Sequence, residues 1–341
     1  MRKKISLGVV WSLVIVMLLG TAAMAAGDWL YSPITYWTSG MDYISTFASQ
    51  ARIRHEGGST VKVEGTINIT GSTSLSHMGV ECFMFDLANS LIYSSGEWWT
   101  SGNDDVKTVA LLVDGLSAGT YRGYANTGVY INGESEYRMT SNTPNLVFRP
   151  SVIVSKEVFY ATAEEISPPS MPAQSGISVN ENGQTYGPQP LDPNVEPPEL
   201  IAAVGIDGTR GYVYSKDIKD HEPFTSEEDI AAYTEKQHKL RKEAQKNGGA
   251  FLSYVPLYAS DGVTVIGEFG WGAADSISYS CGLDADGNKV YTDYEGNVLE
   301  LDADGNPYYV STDGNVRVLS PLQIGEELSV SFVNYPPLCG E

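Results

Sequence analysis

The residue types that could do chemistry are few and scattered. Trp98-Trp99 lies in a Gly/Ser/Asn-rich stretch between two strand-like runs, where at least one ring should reach the surface. Aromatic faces on sandwich loops stack on sugars or anchor protein partners, so Trp98 and Trp99 are the candidate ligand contacts. Gly115-Leu116-Ser117-Ala118-Gly119 matches the string of a hydrolase nucleophile. That chemistry needs a strand before the serine and a helix after it, and Thr120 onward reads instead as a strand. The histidines are His55, His77, His221 and His238. None belongs to H-E-x-x-H, since His55-Glu56 is followed by glycines with no histidine at the required spacing. His238, on a charged helix, reads as solvated. The D-x-D-G-N strings near the C-terminus resemble part of a calcium loop. With Gly305 at position 6 of that loop, Ser311 takes position 12, and with Gly287 there Asp293 does, so neither register supplies the bidentate glutamate. The sequence therefore assigns no catalytic residue, no metal ligand and no cofactor.

The elements that would hold these residues are mostly strands. From Asp28 to Ala163, alternating runs recur between Gly, Ser and Asn clusters, the pattern of an antiparallel β-sandwich of Ig-like Greek-key type. Val61, Val63, Gly65, Ile67 and Ile69 line one face of a run, with Lys62, Glu64, Thr66 and Asn68 on the other. Met78, Val80, Cys82 and Met84 give the next run one apolar face. Leu116-Ser117-Ala118-Gly119-Thr120-Tyr121 has the form of a tyrosine corner, with Tyr121 turning its hydroxyl back to upstream backbone, a structural role.

Eight of the 17 prolines fall between Pro168 and Pro198, so 164–175 reads as a stiff, extended linker. A small α+β module is expected over 176–272, with a helix at 226–246. Thr225 is its expected cap, Glu228 the reciprocal partner and Ile230, Tyr233, Leu240 and Ala244 its apolar stripe, interrupted by Gln237. The stripe is expected to pack on a hairpin from Leu252 to Phe269 that turns at Ser260-Asp261-Gly262. Over 273–341 a nine-residue unit repeats in register from Asp284, Asp293, Asp302 and Ser311, with Gly and Asn at fixed places. A β-meander with one turn per unit is the simplest structure.

Composition bounds the function. The formal charge is −21, and about −24 once Arg2, Lys3 and Lys4 are removed. Nucleic-acid affinity comes largely from Lys and Arg on phosphates, so a nucleic-acid partner is excluded, as is docking on anionic lipid. Three cysteines are too few for a disulfide scaffold; Cys281 and Cys339 are a candidate pair, the alternative being three free thiols. Arg2, Lys3 and Lys4 precede an uncharged stretch, and Ala23-Met24-Ala25 fits the cleavage rule, so residues 1–25 read as a secretory signal peptide. The apolar core is shorter than the roughly 20 residues that span a bilayer. No membrane span is expected after cleavage, and retention of the leader as an anchor is the alternative.

Val179-Asn180-Glu181-Asn182-Gly183-Gln184-Thr185-Tyr186-Gly187, with Glu199-Leu200-Ile201, Ala203-Val204-Gly205 and Asp207-Gly208-Thr209-Arg210-Gly211-Tyr212-Val213, resembles a module of uncharacterised extracytoplasmic proteins of Gram-positive bacteria. Val255-Pro256-Leu257-Tyr258 and Thr264-Val265-Ile266-Gly267-Glu268-Phe269 also resemble it. The likeness covers about a quarter of the chain and transfers no functional residue. Some such proteins carry a peptidase domain elsewhere, whose motif this sequence lacks. What the resemblance implies is an envelope-facing, sensing or binding context. The expected function is a secreted or cell-surface, non-catalytic binding or structural protein of the bacterial envelope, its partner a cell-wall carbohydrate or an extracellular protein. The alternatives are a secreted hydrolase with a carboxylate-based site and a calcium-binding surface protein.

Overall fold

The computed structural model describes residues 27–41, 45–71, 77–100, 104–150, 152–154, 157–159, 176–190, 195–218, 221–284, 286–310 and 316–319. The expected leader, the linker 164–175 and Cys339 lie outside them.

The chain is mainly β. In order, β1 is Leu30–Tyr31, β2 Thr35–Thr38, β3 Thr46–Gly57, β4 Thr60–Ile69, β5 His77–Asp86, β6 Leu91–Ser94, β7 Trp98–Trp99 and β8 Val106–Val113. Then come β9 Gly119–Ile131, β10 Glu134–Met139, β11 Leu146–Phe148, β12 Val152–Val154 and β13 Glu157–Phe159. They are followed by β14 Ser178–Val179, β15 Thr185–Gly187, β16 Leu200–Val204, β17 Arg210–Tyr214, the helix α1 Glu227–Lys246, β18 Phe251–Tyr258 and β19 Val265–Ala273. The last are β20 Ile277–Leu283, β21 Lys289–Asp293, β22 Glu300–Leu301, β23 Pro307–Val310 and β24 Val316–Val318.

Two sheets carry the fold. The first runs β1-β3-β4-β8-β20-β21, with β2 also on β3; the second runs β10-β9-β5-β6-β16-β17-β18-β19, with β7 on β5 and β11 on β9. Both cross the positions where composition suggested separate modules. β20 pairs antiparallel with β8, from Ile277 opposite Ala110 to Cys281 opposite Val106. β16 meets β6 in parallel at Ala203 and Leu91.

The sheets face each other through a core that period-2 alternation dictates. Ile53, Val63, Ile67 and Leu111 of one sheet meet Met78, Val80, Cys82, Met84 and Val129 of the other, all fully buried. Gly65 permits the close approach: a Cβ there would lie 2.4 Å from that of Ala125. β5 differs from expectation, because its second face is buried as well. Phe83 and Phe85 pack with Tyr124 of the neighbouring β9 and with Ile201, Val213, Leu257, Phe269 and Trp271, which β16 to β19 bring onto it.

The outer face of the first sheet holds a buried ionic cluster. Glu64 is fully enclosed, accepts from Arg52 Nε at 2.8 Å and pairs with Lys62 Nζ at 2.7 Å. The Trp29 ring lies 4.0 Å from the Arg52 guanidinium and 4.3 Å from that of Arg54. Burial alone would raise the Glu64 carboxyl, but Lys62 and Arg52 hold it below the ordinary carboxylate range.

One hairpin turn recurs. In 284–288, 293–297 and 302–306 the leading aspartate's N–H donates to the closing asparagine's carbonyl, and the glycine N–H returns to the aspartate carbonyl. The aspartate Oδ1 accepts the amides two and four residues on. Gly287, Gly296 and Gly305 all sit at φ 82°, a left-handed value that glycine adopts without cost. Segments 180–184 and 205–209 close with the same backbone bonds. The corresponding turn of the fourth unit, 311–315, lies outside the described residues.

The helix starts one residue later than its expected cap. Ser226, not Thr225, is the N-cap and accepts from the Asp229 amide, while Thr225 Oγ1 donates to Asp229 Oδ2 at 2.8 Å. Asp229, rather than Glu228, is therefore the reciprocal partner, because it stands three residues after the cap, and its Oδ2 accepts the Thr225 amide at 3.2 Å. The buried stripe is Ile230, Tyr233, Gln237 and Arg241, so two residues read as polar face the protein, and Leu240 and Ala244 are only partly covered.

Candidate functional site

β7 pairs with β5, placing Trp99 opposite Gly79 and Trp98 opposite Val80. A Cβ on Gly79 would lie 2.6 Å from the Trp99 indole, so only glycine lets that ring lie flat on the sheet. At least one of these two rings, the expected ligand contacts, was to reach the surface, and the structure corrects that exposure: each is 3% exposed. The reason is α1, which lies across β7 and buries both rings.

On the Trp98 side, the Arg241 guanidinium stacks 3.6 Å from the ring centroid. Its Nη2 donates to the Ser95 carbonyl and, at 3.0 Å, to Ser276 Oγ. Ser276 Oγ in turn donates to Ser95 O at 2.9 Å and accepts from Trp98 Nε1 at 3.3 Å. His238, expected to be solvated, is not. It is half-buried, with its ring 4.5 Å from that of Tyr294 and 6.0 Å from that of Trp98. Burial, then the Arg241 and Lys107 charges, push its pKa down to about 4, so the imidazole is neutral at ordinary pH. Lys107, also enclosed, is pushed down to about 8 by burial, partly opposed by Asp104 and Asp293.

On the Trp99 side, Phe224 meets the indole edge-on at 5.1 Å, and Tyr137 does so at 6.1 Å. His221 stacks on Phe224 at 3.9 Å, and its Nε2 is bonded to Glu97 Oε2. Tyr137 is pushed up by burial and by the carboxylates of Glu97 and Glu81. Glu81 accepts from Ser94 Oγ at 2.7 Å. A carboxylate–imidazole pair is the usual currency of acid–base catalysis. Here the imidazole is stacked on Phe224 and has Tyr233 edge-on at 4.5 Å, so the pair clamps the segment that leads into α1.

The other candidates have structural surroundings. Tyr121 donates to the Ser117 carbonyl at 2.8 Å, and Ser117 lies in the turn before β9 rather than before a helix. His55 meets Gly58 O at 3.1 Å and Phe148 edge-on, and His77 meets Thr100 O at 2.8 Å. Cys281 is half-buried on β20, and its expected partner, Cys339, lies outside the described residues. In the D-x-D-G-N turns the leading carboxylates accept backbone amides, which hold Asp284 and Asp302 below the ordinary range. Among the described residues no three His, Cys, Asp or Glu side chains gather around a common point. No described helix is long and apolar enough to cross a membrane.

The residues that carry the resemblance form a hydrogen-bonded corner. Asn180 Nδ2 donates to Ser260 O at 3.0 Å, Asn182 Nδ2 to Asp261 O at 2.8 Å and Gln184 Nε2 to Tyr214 Oη at 2.7 Å. Tyr214 Oη donates onward to Gly262 O at 2.8 Å. These side chains fasten the β18–β19 turn to β17 and to the turn between β14 and β15. Sequence reasoning missed Arg241, Glu97 and the His221 contact. Arg241 did leave a signal: with Ile230, Tyr233 and Gln237 it falls at the three- and four-residue spacing of one helix face. No protein family, curated protein or solved structure matches the chain.

Proposed function

We propose that the protein is a non-catalytic binding or structural component of the bacterial envelope, secreted or held at the cell surface. The observation that supports this most is where its reactive groups sit. The Ser117 turn, the Glu97–His221 pair, the Asp turns and both tryptophans are engaged in holding elements together. The basic start of the leader, the uncharged stretch after it and the acidic composition agree with export.

Partners of this class are a cell-wall carbohydrate or an extracellular protein. With Trp98 and Trp99 enclosed, the exposed rings able to meet a sugar among the described residues are Tyr31 at 45%, Tyr36 at 46% and Tyr254 at 49% exposure. Sedimentation of the mature protein with isolated cell walls tests the reading. Co-sedimentation that soluble wall fragments compete away is the expected result, and full recovery in the supernatant counts against it.

A further inference from the structure

The sheet β22-β23-β24 has two faces, and its register shows which residues share each. Tyr308 pairs with Glu300 on one side and Val318 on the other, and Val310 pairs with Val316. Leu299, Tyr309 and Leu319, on the opposite face, pack on Tyr279 and Tyr291 of β20 and β21. Val298 continues the outward row, bridged to Thr292. The outward valines are well exposed: Val298 69%, Val310 59%, Val316 61% and Val318 37%. Such a grouped apolar face, unlike scattered single residues, marks an association surface.

The surroundings of this face are mainly acidic, although Lys242 pairs with Glu295 and Arg317 stands opposite Tyr309 on the other row. From Asp293 to Val310 the chain has Asp293, Glu295, Glu300, Asp302 and Asp304 and no lysine or arginine. Tyr308 Oη donates to the Glu300 carboxylate, placing that charge on the face itself. Asp302 and Asp304 lie in the turn at one end, and the 293–297 turn precedes Val298. A second copy would bring the same acidic residues against these, because a two-fold contact places identical patches together. A basic partner meets no such repulsion.

We propose that this outward sheet face, Val298, Tyr308, Val310, Val316 and Val318 with its acidic border, docks a cationic polypeptide segment that presents apolar side chains between lysines or arginines. The valines would supply the water-excluding centre and the carboxylates the rim. This goes beyond the envelope reading and does not depend on where the protein resides.

The test is fluorescence anisotropy with the full chain and a labelled eight-residue peptide of alternating valine and lysine, compared with its valine–glutamate counterpart. Binding of the lysine peptide alone is expected, weakened about tenfold in a Val310→Ser/Val316→Ser double variant and weakened separately by Glu300→Gln/Asp304→Asn. Equal binding of the two peptides, or undiminished binding by the valine double variant, overturns the proposal. So does a dimer in sedimentation velocity that the double variant abolishes, since the occupant is then a second copy. A solvatochromic apolar dye that brightens equally with wild type and the double variant also overturns it, because the chain itself then covers the face.

Discussion

Glu64 shows how single residues carry this fold. Its carboxylate sits between Lys62 and Arg52, with Trp29 against the guanidinium. Glu64→Gln keeps the shape but takes from two enclosed cations their carboxylate. The expected loss is about 3–5 kcal/mol by urea unfolding, since breaking an enclosed pair costs far more than replacing all its members with apolar residues. A loss under about 1 kcal/mol would mean that the cluster is wet. His238 adds a pH dependence at the same scale. Its folded pKa, about 4, lies below the ordinary 6.5, so between these values the unfolded chain binds more protons. Stability therefore falls as pH drops through that window. The groups facing the ring are Arg241, Lys107 and Lys242, with Glu295 opposing them. His238→Gln should flatten the slope of unfolding free energy between pH 6.5 and 4, and an unchanged slope would contradict the account. Tyr121 could be read from its turn because its partner, Ser117, is local. Lys62 and Glu64 read only as the polar face of β4, since Trp29 and Tyr279, which lie beside them, are distant in the chain.

Elements were legible where their signals are short-range. Period-2 runs located β4 and β5, and Gly at a fixed place in the nine-residue unit located the three described turns, because a left-handed φ is a local demand. The helix was legible in extent, but its cap was displaced by one residue, since Thr225 and Ser226 are both capping types and only geometry separates them. That difference makes a prediction. Ser226→Ala should lower stability by about 1 kcal/mol, because the Asp229 amide loses its acceptor. Thr225→Ala should cost less, removing a hydroxyl bond at an exposed carboxylate. Thermal melts of the two variants decide the order, and the reverse ranking would return the cap to Thr225. The buried stripe was misread for a different reason. Gln237 and Arg241 are polar by composition, yet Arg241 uses its stem and guanidinium plane to cover Trp98, a contact available only once β7 lies beneath α1.

Across the whole molecule, the question is whether the chain behaves as separate modules or as one unit. A change of composition near 164 marks a change of segment, but composition does not name the pairing partner of a strand. The register does: β8 has β4 on one side and β20 on the other, and β6 joins β5 to β16. Cutting after residue 163 would therefore uncover the β8 edge from Val106 to Ala110 and the Phe83–Phe85 face, an unpaired strand and an apolar surface together. Trp98 and Trp271 report on different parts of this structure, one in the sandwich core and one in the cluster against β16 to β19. Because the sheets are shared, urea unfolding of the intact chain should give coincident transitions by tryptophan fluorescence and far-ultraviolet circular dichroism. The fragment 28–163 should aggregate or melt well below the intact chain. Two resolved transitions, or a fragment that stays monomeric with the intact chain's midpoint, would mean that the β8–β20 and β6–β16 pairings add little, and that the stretches before and after the proline-rich segment are thermodynamically independent.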